Sequence, residues 1–276
     1  MLIVLKFNGG LGNQMFQYAF YLRLKKEYPL SLYLFDIAKA QDNHFGYELD
    51  NVFYIDSIKQ ARNYRRLKRH WPMLETKFHT IKQEDSLRYS RDPFFIHRFG
   101  IIYEGFWQSE KFFLPIENKV RTAFSFQEGK LNDKTKETAV FLESSNSISV
   151  HIRRGDYLQH ADVFGLCTNE YYEKAITFFK ERIATPTFVF FSDDIEWVKQ
   201  NIKCDNALYI TWNQGEESWQ DMYLMSHCKH NIIANSSFSW WGAWLNPSIE
   251  KIVVAPKQWF LYSNNYDILP DKWLKL

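Results

Sequence analysis

Ser147-Ile148-Ser149-Val150-His151-Ile152-Arg153-Arg154-Gly155-Asp156-Tyr157 is the stretch from which the fold follows. Successive side chains of a strand alternate faces, so Ile148, Val150 and Ile152 fall on one side and Ser149, His151 and Arg153 on the other. A strand is expected over Ser147–Arg153, with its polar residues converging beyond the carboxyl end, where open α/β sheets bind ligands. Each guanidinium is a planar fork of donors matched to phosphate oxygens. Two in succession suit a diphosphate whose charge must be held while a bond breaks. Structural ion pairs from Arg153 and Arg154 to Asp156 or another carboxylate are the alternative use of the same residues.

Outward from this strand the second half alternates strands and helices. Further strands are expected at Thr187–Phe191, Ala207–Ile210, Asn231–Ala234 and Ile252–Ala255, with helices near 169–184, 194–201, 217–228 and 237–245. The first half opens with the same rhythm. Leu2 to Phe7 is a short buried-strand pattern, Asn8-Gly9-Gly10-Leu11-Gly12-Asn13-Gln14 is a glycine turn, and Met15 to Lys26 is helical. The apolar run Leu30 to Phe35 ends at Asp36 and completes a βαβ unit of a parallel sheet. From about Lys59 to Arg98 periodicity weakens and charge rises, notably in Arg62-Asn63-Tyr64-Arg65-Arg66-Leu67-Lys68-Arg69. Such a run is read first as a solvated helix face, and second as a contact for anionic lipid or acceptor. Gly100 to Glu104 is strand-like and leads through Gly105-Phe106-Trp107-Gln108-Ser109 into a short helix. The polar, lysine-bearing stretch around 125–145 marks the domain boundary, with domains expected at 1–140 and 141–276 and the C-terminal tail free to pack back on the first.

The 276 residues are 46% hydrophobic, ample for sizeable cores. Lys plus Arg against Asp plus Glu gives 34 − 32 = +2, so the chain has no bias toward nucleic acid, and basic chemistry must be local. Aromatics reach 18%, which provides for cores first and for sugar-binding surfaces second. Cys167, Cys204 and Cys228 have no CxxC spacing, which points to a reducing, cytoplasmic compartment. The start Met1-Leu2-Ile3-Val4-Leu5-Lys6 does not read as a signal peptide, and no segment reaches the ~20 apolar residues of a membrane span. Attachment to a membrane surface, including the inner face of the membrane, stays open.

Three further constellations carry chemistry. The opening glycine loop is a poor dinucleotide fingerprint, because Met15 stands where a third small residue should let helix and strand close up, and no Gly-Lys-Ser/Thr ending makes it a P-loop. Amides at a helix start still bind anions, and Asn8, Asn13 and Gln14 offer groups for hydroxyls. Ser192-Asp193-Asp194 ends a strand: Asp193 with Glu196 fits a capping box, which frees the other acid to accept bonds from a ribose or from the N1 and N2 hydrogens of guanine. Ser218 with Asp221 resembles another cap. Asn235-Ser236-Ser237-Phe238 opens a helix whose dipole and free amides suit a phosphate, with capping by Ser236 or Ser237 as the plainer use.

These residues resemble the bacterial α1,2-fucosyltransferases, relatives of the fucosyltransferases that share a His-x-Arg-Arg-x-Asp motif. The likeness is carried by Gly9 through Ala19, Gly105 through Ser109, His151 through Tyr157, Phe191 through Asp194 and Asn235 through Leu245. It implies an α/β fold of two Rossmann-like domains facing a cleft, the glycosyltransferase B type, with the acceptor side in the first and the donor side in the second. It implies GDP-fucose as donor co-substrate, no metal or other cofactor, a galactose-terminated oligosaccharide as acceptor, and inverting transfer to O2 of a terminal β-galactose. By the same resemblance Arg153 bonds the diphosphate, Arg154 supports it, His151 with Asp193 or Asp194 holds the nucleoside, and Ser236, Ser237 and Phe238 line the phosphate end. Gly10, Asn13 and Asn235 complete the expected binding set.

The general base is open. Asp156, beside two cations, is a poor proton acceptor. Glu104 could face the acceptor from the first domain, and the departing phosphate could itself take the proton. Rival functions are another nucleotide-sugar transferase, a nicotinamide-dependent oxidoreductase using the Gly10–Asp36 unit, and a non-catalytic galactoside-binding protein.

Overall fold

The computed structural model describes residues 1–42, 45–83, 88–94, 99–158, 165–261 and 266–276. It divides into two compact units, Met1–Gln127 with Asn265–Pro270, and Glu128–Asn264 with Asp271–Leu276. The division precedes the helix Asp133–Ser144, which a boundary at residue 140 would cut.

The first unit is built on four strands, β1 (Leu2–Lys6), β2 (Leu32–Asp36), β3 (His79–Lys82) and β4 (Gly100–Glu104), all parallel in the order β2-β1-β4-β3. Central parallel strands are covered on both faces, which is why Ile3, Val4 and Leu5 are all buried. On one face Val4, Leu34 and Ile102 meet Tyr64 of the helix Ile58–His70. The helix Leu11–Glu27 contributes an aromatic layer: Tyr21 sits edge-on to Phe35, and Phe20 stacks on Trp107 with centroids 4.2 Å apart. This helix begins at Leu11 rather than Met15, so half of the expected glycine turn is helical. β3 was not expected, because His79-Thr80-Ile81-Lys82 is largely exposed and edge strands tolerate polar residues on both sides.

In the second unit the expected alternation gives β5 (Ser147–Ile152), β6 (Thr187–Ser192), β7 (Ala207–Tyr209), β8 (His230–Ile232) and β9 (Val253–Ala255), and a short β10 (Leu274–Lys275) that was not expected joins them. They form one parallel sheet in the order β10-β9-β8-β5-β6-β7. Ile148, Val150 and Ile152 share a core with Tyr172, Ile176 and Phe179 of the helix Asn169–Lys180. The opposite face is not solvated: Ser149 is buried and accepts a bond from Asn231 Nδ2 at 2.7 Å. There the helices Trp219–His227 and Ser237–Leu245 approach so closely that a methyl on Gly242 would stand 2.8 Å from Met225 Cβ. β5 stops at Ile152, so Arg153 already belongs to the loop.

Asp221 does not cap the helix that follows Ser218. It is partly buried and takes a 2.9 Å bond from Asn213 Nδ2, while Asn213 Oδ1 accepts from Asn132, the cap of Asp133–Ser144. Burial, against the opposing bond from Asn213, pushes its carboxyl up to about 8. A carboxyl raised above its unfolded value stabilises the fold fully below the unfolded pKa, and that contribution is lost as pH rises through the folded pKa. Thermal melts should therefore show stability declining between about pH 4 and pH 8, and Asp221→Asn should flatten that slope.

Candidate active site

β5, β6 and β8 are neighbours, so the residues after Ile152, Ser192 and Ile232 gather at one edge of the second sheet. Arg153 Nη1 lies 3.1 Å from Asp193 Oδ2, and the amide of Arg154 donates to Asp193 Oδ1 at 3.0 Å. Arg154 Nε lies 3.4 Å from Asp194 Oδ2, and its guanidinium sits over the Trp197 ring at 3.7 Å. The roles of the two acids are the reverse of those expected. Asp194 is the N-cap of the helix Ile195–Asn201, accepting from the Trp197 amide at 3.2 Å, whereas Asp193 holds the arginine loop. A side chain on Gly155 would put Cβ 2.6 Å from Asp193 Oδ2, so the glycine is what lets this carboxylate reach the backbone.

His151 is buried, its carbonyl accepts from the Tyr172 hydroxyl at 3.1 Å, and its ring lies 5.9 Å from that of Phe238. Burial first and the charge of Arg153 second push its pKa down to about 3, so the imidazole is neutral. Its Nδ1 is buried without a hydrogen-bond partner among the described residues, a hydrogen-bonding capacity that a bound group can use. The Ser236 side chain does not cap the helix Ser237–Leu245, whose first-turn Phe238 is the ring that lies near this imidazole. Asn235 is spent differently: its Nδ2 donates to the carbonyls of Gly165 and Trp259, and its own carbonyl accepts from the Tyr157 hydroxyl. Asp156 is placed by its backbone in the turn Asp156–Leu158, and its side chain lies outside what is described. Trp240 and Trp241 are fully buried and belong to packing.

The polar residues of the first unit mostly stitch their own loop. Gly9 has φ 78°, a left-handed backbone that suits glycine, and Gly10 is the extended N-cap of the helix. Gln14, which is fully buried, donates to the carbonyls of Gly9 and Gly46 and accepts from the Glu48 amide. Asn13 accepts from Gln108 Nε2 at 2.7 Å. Glu104 lies 3.3 Å from Lys39 Nζ and 3.5 Å from Lys6 Nζ. Partial burial opposes ionisation, but the two ammonium groups prevail and hold the carboxyl below its usual range. That suits an ion pair better than a proton acceptor. Glu48, which sequence reasoning passed over, is the contrasting acid. It is buried, and burial raises it to about 7 against a bond from the Leu11 amide. Its neighbours Phe45-Gly46-Tyr47 give no pattern that would announce a buried carboxyl. Among the described residues no group of three or more His, Cys, Asp or Glu is arranged to hold a metal ion.

The family described as glycosyl transferase family 11 matches residues 2–266. The α-1,2-colitosyltransferase of Escherichia coli is 36% identical over 295 residues, covering 100% of this chain and 99% of that protein. Human galactoside α-(1,2)-fucosyltransferase 1 is 28% identical over 252 residues, covering 86% of this chain and 64% of that protein. Among solved structures, fucosyltransferase NodZ from Bradyrhizobium superposes with a TM-score of 0.54 at 15% identity, over 87% of this chain and 90% of that one. The last likeness is one of fold, the two-unit α/β architecture of the glycosyltransferase B type.

Because Asp193 reaches the arginine loop only past Gly155, Gly155→Ala should displace both guanidinium groups. Activity is expected to fall about 10²-fold with unchanged circular dichroism. Wild-type turnover in that variant would show that the loop tolerates the shift.

Proposed function

The chain belongs to glycosyl transferase family 11, and from that premise we propose that it moves L-fucose from GDP-fucose to O2 of a terminal β-galactose, with inversion and without a metal. It is a glycosyltransferase; the identity of donor and acceptor is the proposal. The observation that carries it is the Arg153 and Arg154 pair, held by Asp193 and Asp194 near a neutral His151 whose Nδ1 has no hydrogen-bond partner among the described residues. We assign the donor to the second unit and the acceptor to the first, and the reducing cytoplasm suits the free thiols of Cys167, Cys204 and Cys228. Among the described residues no helix is long and apolar enough to cross a membrane.

The chemistry is leaving-group stabilisation. As the bond from fucose C1 to the β-phosphate oxygen lengthens, negative charge grows on the diphosphate. Guanidinium donors already fixed by carboxylates bind that charge more tightly than they bind the intact donor. The first-turn amides of Ser237–Leu245 and the Ser236 and Ser237 hydroxyls supply neutral donors for the same oxygens. A neutral His151 can offer Nδ1 to the nucleotide without adding a charge that would have to be desolvated. The acceptor hydroxyl forms its bond to C1 from the opposite face as the bond from C1 to the phosphate oxygen breaks; the diphosphate leaves with that electron pair, and the hydroxyl proton is released to water on the acceptor side. This route fits a Glu104 that is tied to two lysines.

Colitosyl transfer is the second reading, favoured by the Escherichia coli relative. Arg153→Ala should lower turnover about 10²–10³-fold while the melting temperature stays near that of the wild type. A panel of GDP-fucose, GDP-colitose, GDP-mannose and UDP-sugars with lactose, in EDTA, should give fucosyl-lactose from GDP-fucose at the metal-free rate. Preference for GDP-colitose would move the assignment to the second reading, and loss of activity in EDTA would overturn the metal-free mechanism.

A further inference from the structure

We propose that the helix Ile58–His70, with the Trp71-Pro72-Met73 turn that follows it, is a docking surface for an anionic lipid bilayer. Its thirteen residues include no Asp or Glu. Ala61 and Tyr64 are buried toward the first sheet, where the Tyr64 hydroxyl bonds Glu75 and Asp36. Lys59, Arg62, Arg66 and Arg69 recur at i, i+3, i+7 and i+10, so they share the opposite, exposed face. Lys68, which lies outside that stripe, is the cation of this helix that pairs with a carboxylate among the described residues, at 3.0 Å from Glu75. The stripe therefore presents its charge outward.

A solvated helix face would account for the arginines but not for what adjoins them. Trp71 is 62% and Met73 73% exposed, immediately past the last helical turn. Large apolar side chains next to a cationic stripe match a bilayer surface, where tryptophan sits at headgroup depth and basic side chains meet lipid phosphates. Charge complementarity selects the occupant. A neutral partner would leave the arginines unmatched, and a nucleic acid would leave the aliphatic part of Met73 in water. The surface belongs wholly to the first unit and is independent of the donor site.

The test is cosedimentation of the purified full chain with vesicles of phosphatidylglycerol and phosphatidylcholine, with phosphatidylcholine alone, and in parallel with a duplex oligonucleotide. Binding is expected to the anionic vesicles, weakened by high salt and absent from the neutral ones. Each cation near such a surface strengthens binding about fivefold, so Arg62→Glu, Arg66→Glu and Arg69→Glu together should weaken it by a hundredfold or more, on the order of the three lost contributions. Trp71→Ala should give a smaller loss that high salt does not erase. The exposed positions leave melting temperature and transfer to a soluble acceptor unchanged. Failure of the wild type to bind anionic vesicles, equal binding by the triple variant, or wild-type binding to the oligonucleotide without binding to the anionic vesicles would overturn the proposal.

Discussion

Two consecutive arginines held by two consecutive acids at the ends of adjacent parallel strands set the geometry on which the rest depends. A guanidinium in an empty anion site would repel its neighbour and sample many rotamers. Asp193 and Asp194 remove both problems, Asp193 by gripping one side chain and the next backbone amide, Asp194 by joining a helix start to the second side chain. Trp197 closes the arrangement by covering the Arg154 guanidinium. The cations are fixed before any anion arrives, so little reorganisation is left for the moment when charge develops. The structural ion pairing expected as the alternative use of these arginines is present, to Asp193 and Asp194, and the proposed anion binding builds on it.

Burial decides the protonation of the surrounding groups. His151 is driven neutral because a charged imidazole would be desolvated next to Arg153. Glu104 stays ionised because two lysines outweigh its partial burial, whereas Glu48 and Asp221 are pushed up toward neutral pH by burial with too little compensation. Burial thus produces a neutral imidazole and two acids that hold their protons more tightly. Which group does which depends on partners contributed by distant parts of the chain.

Much of the fold was legible because parallel strands buried on both faces leave continuous apolar runs. Leu2–Lys6, Gly100–Glu104 and Thr187–Ser192 all stood out on that ground. β3 and β10 did not, the first because an edge strand can carry His79, Thr80 and Lys82, the second because two residues make no period. At the site, Arg153 and Arg154 stood out because, unlike Arg65 and Arg66, they follow directly on an apolar strand pattern. The partition of Asp193 and Asp194 was not, because the two acids have the same chemistry and differ only in which one the strand end aims at the arginine loop. That Asn13, Gln14 and Asn235, read as ligand groups, also tie loops was not legible, because amide composition alone does not show it.

The sequence by itself determined the parallel α/β alternation, the glycine turn at the first strand and the cationic edge of the second sheet. These rest on local periodicity and on residue chemistry, which neighbours along the chain are enough to express. Only the tertiary structure decided which acid meets which arginine, that His151 is neutral with Nδ1 unpartnered among the described residues, and that Glu48 and Asp221 have their carboxyls pushed up by burial. Those properties are set by desolvation and by contacts between residues far apart in the chain, and both exist only once the sheets and helices have closed around them.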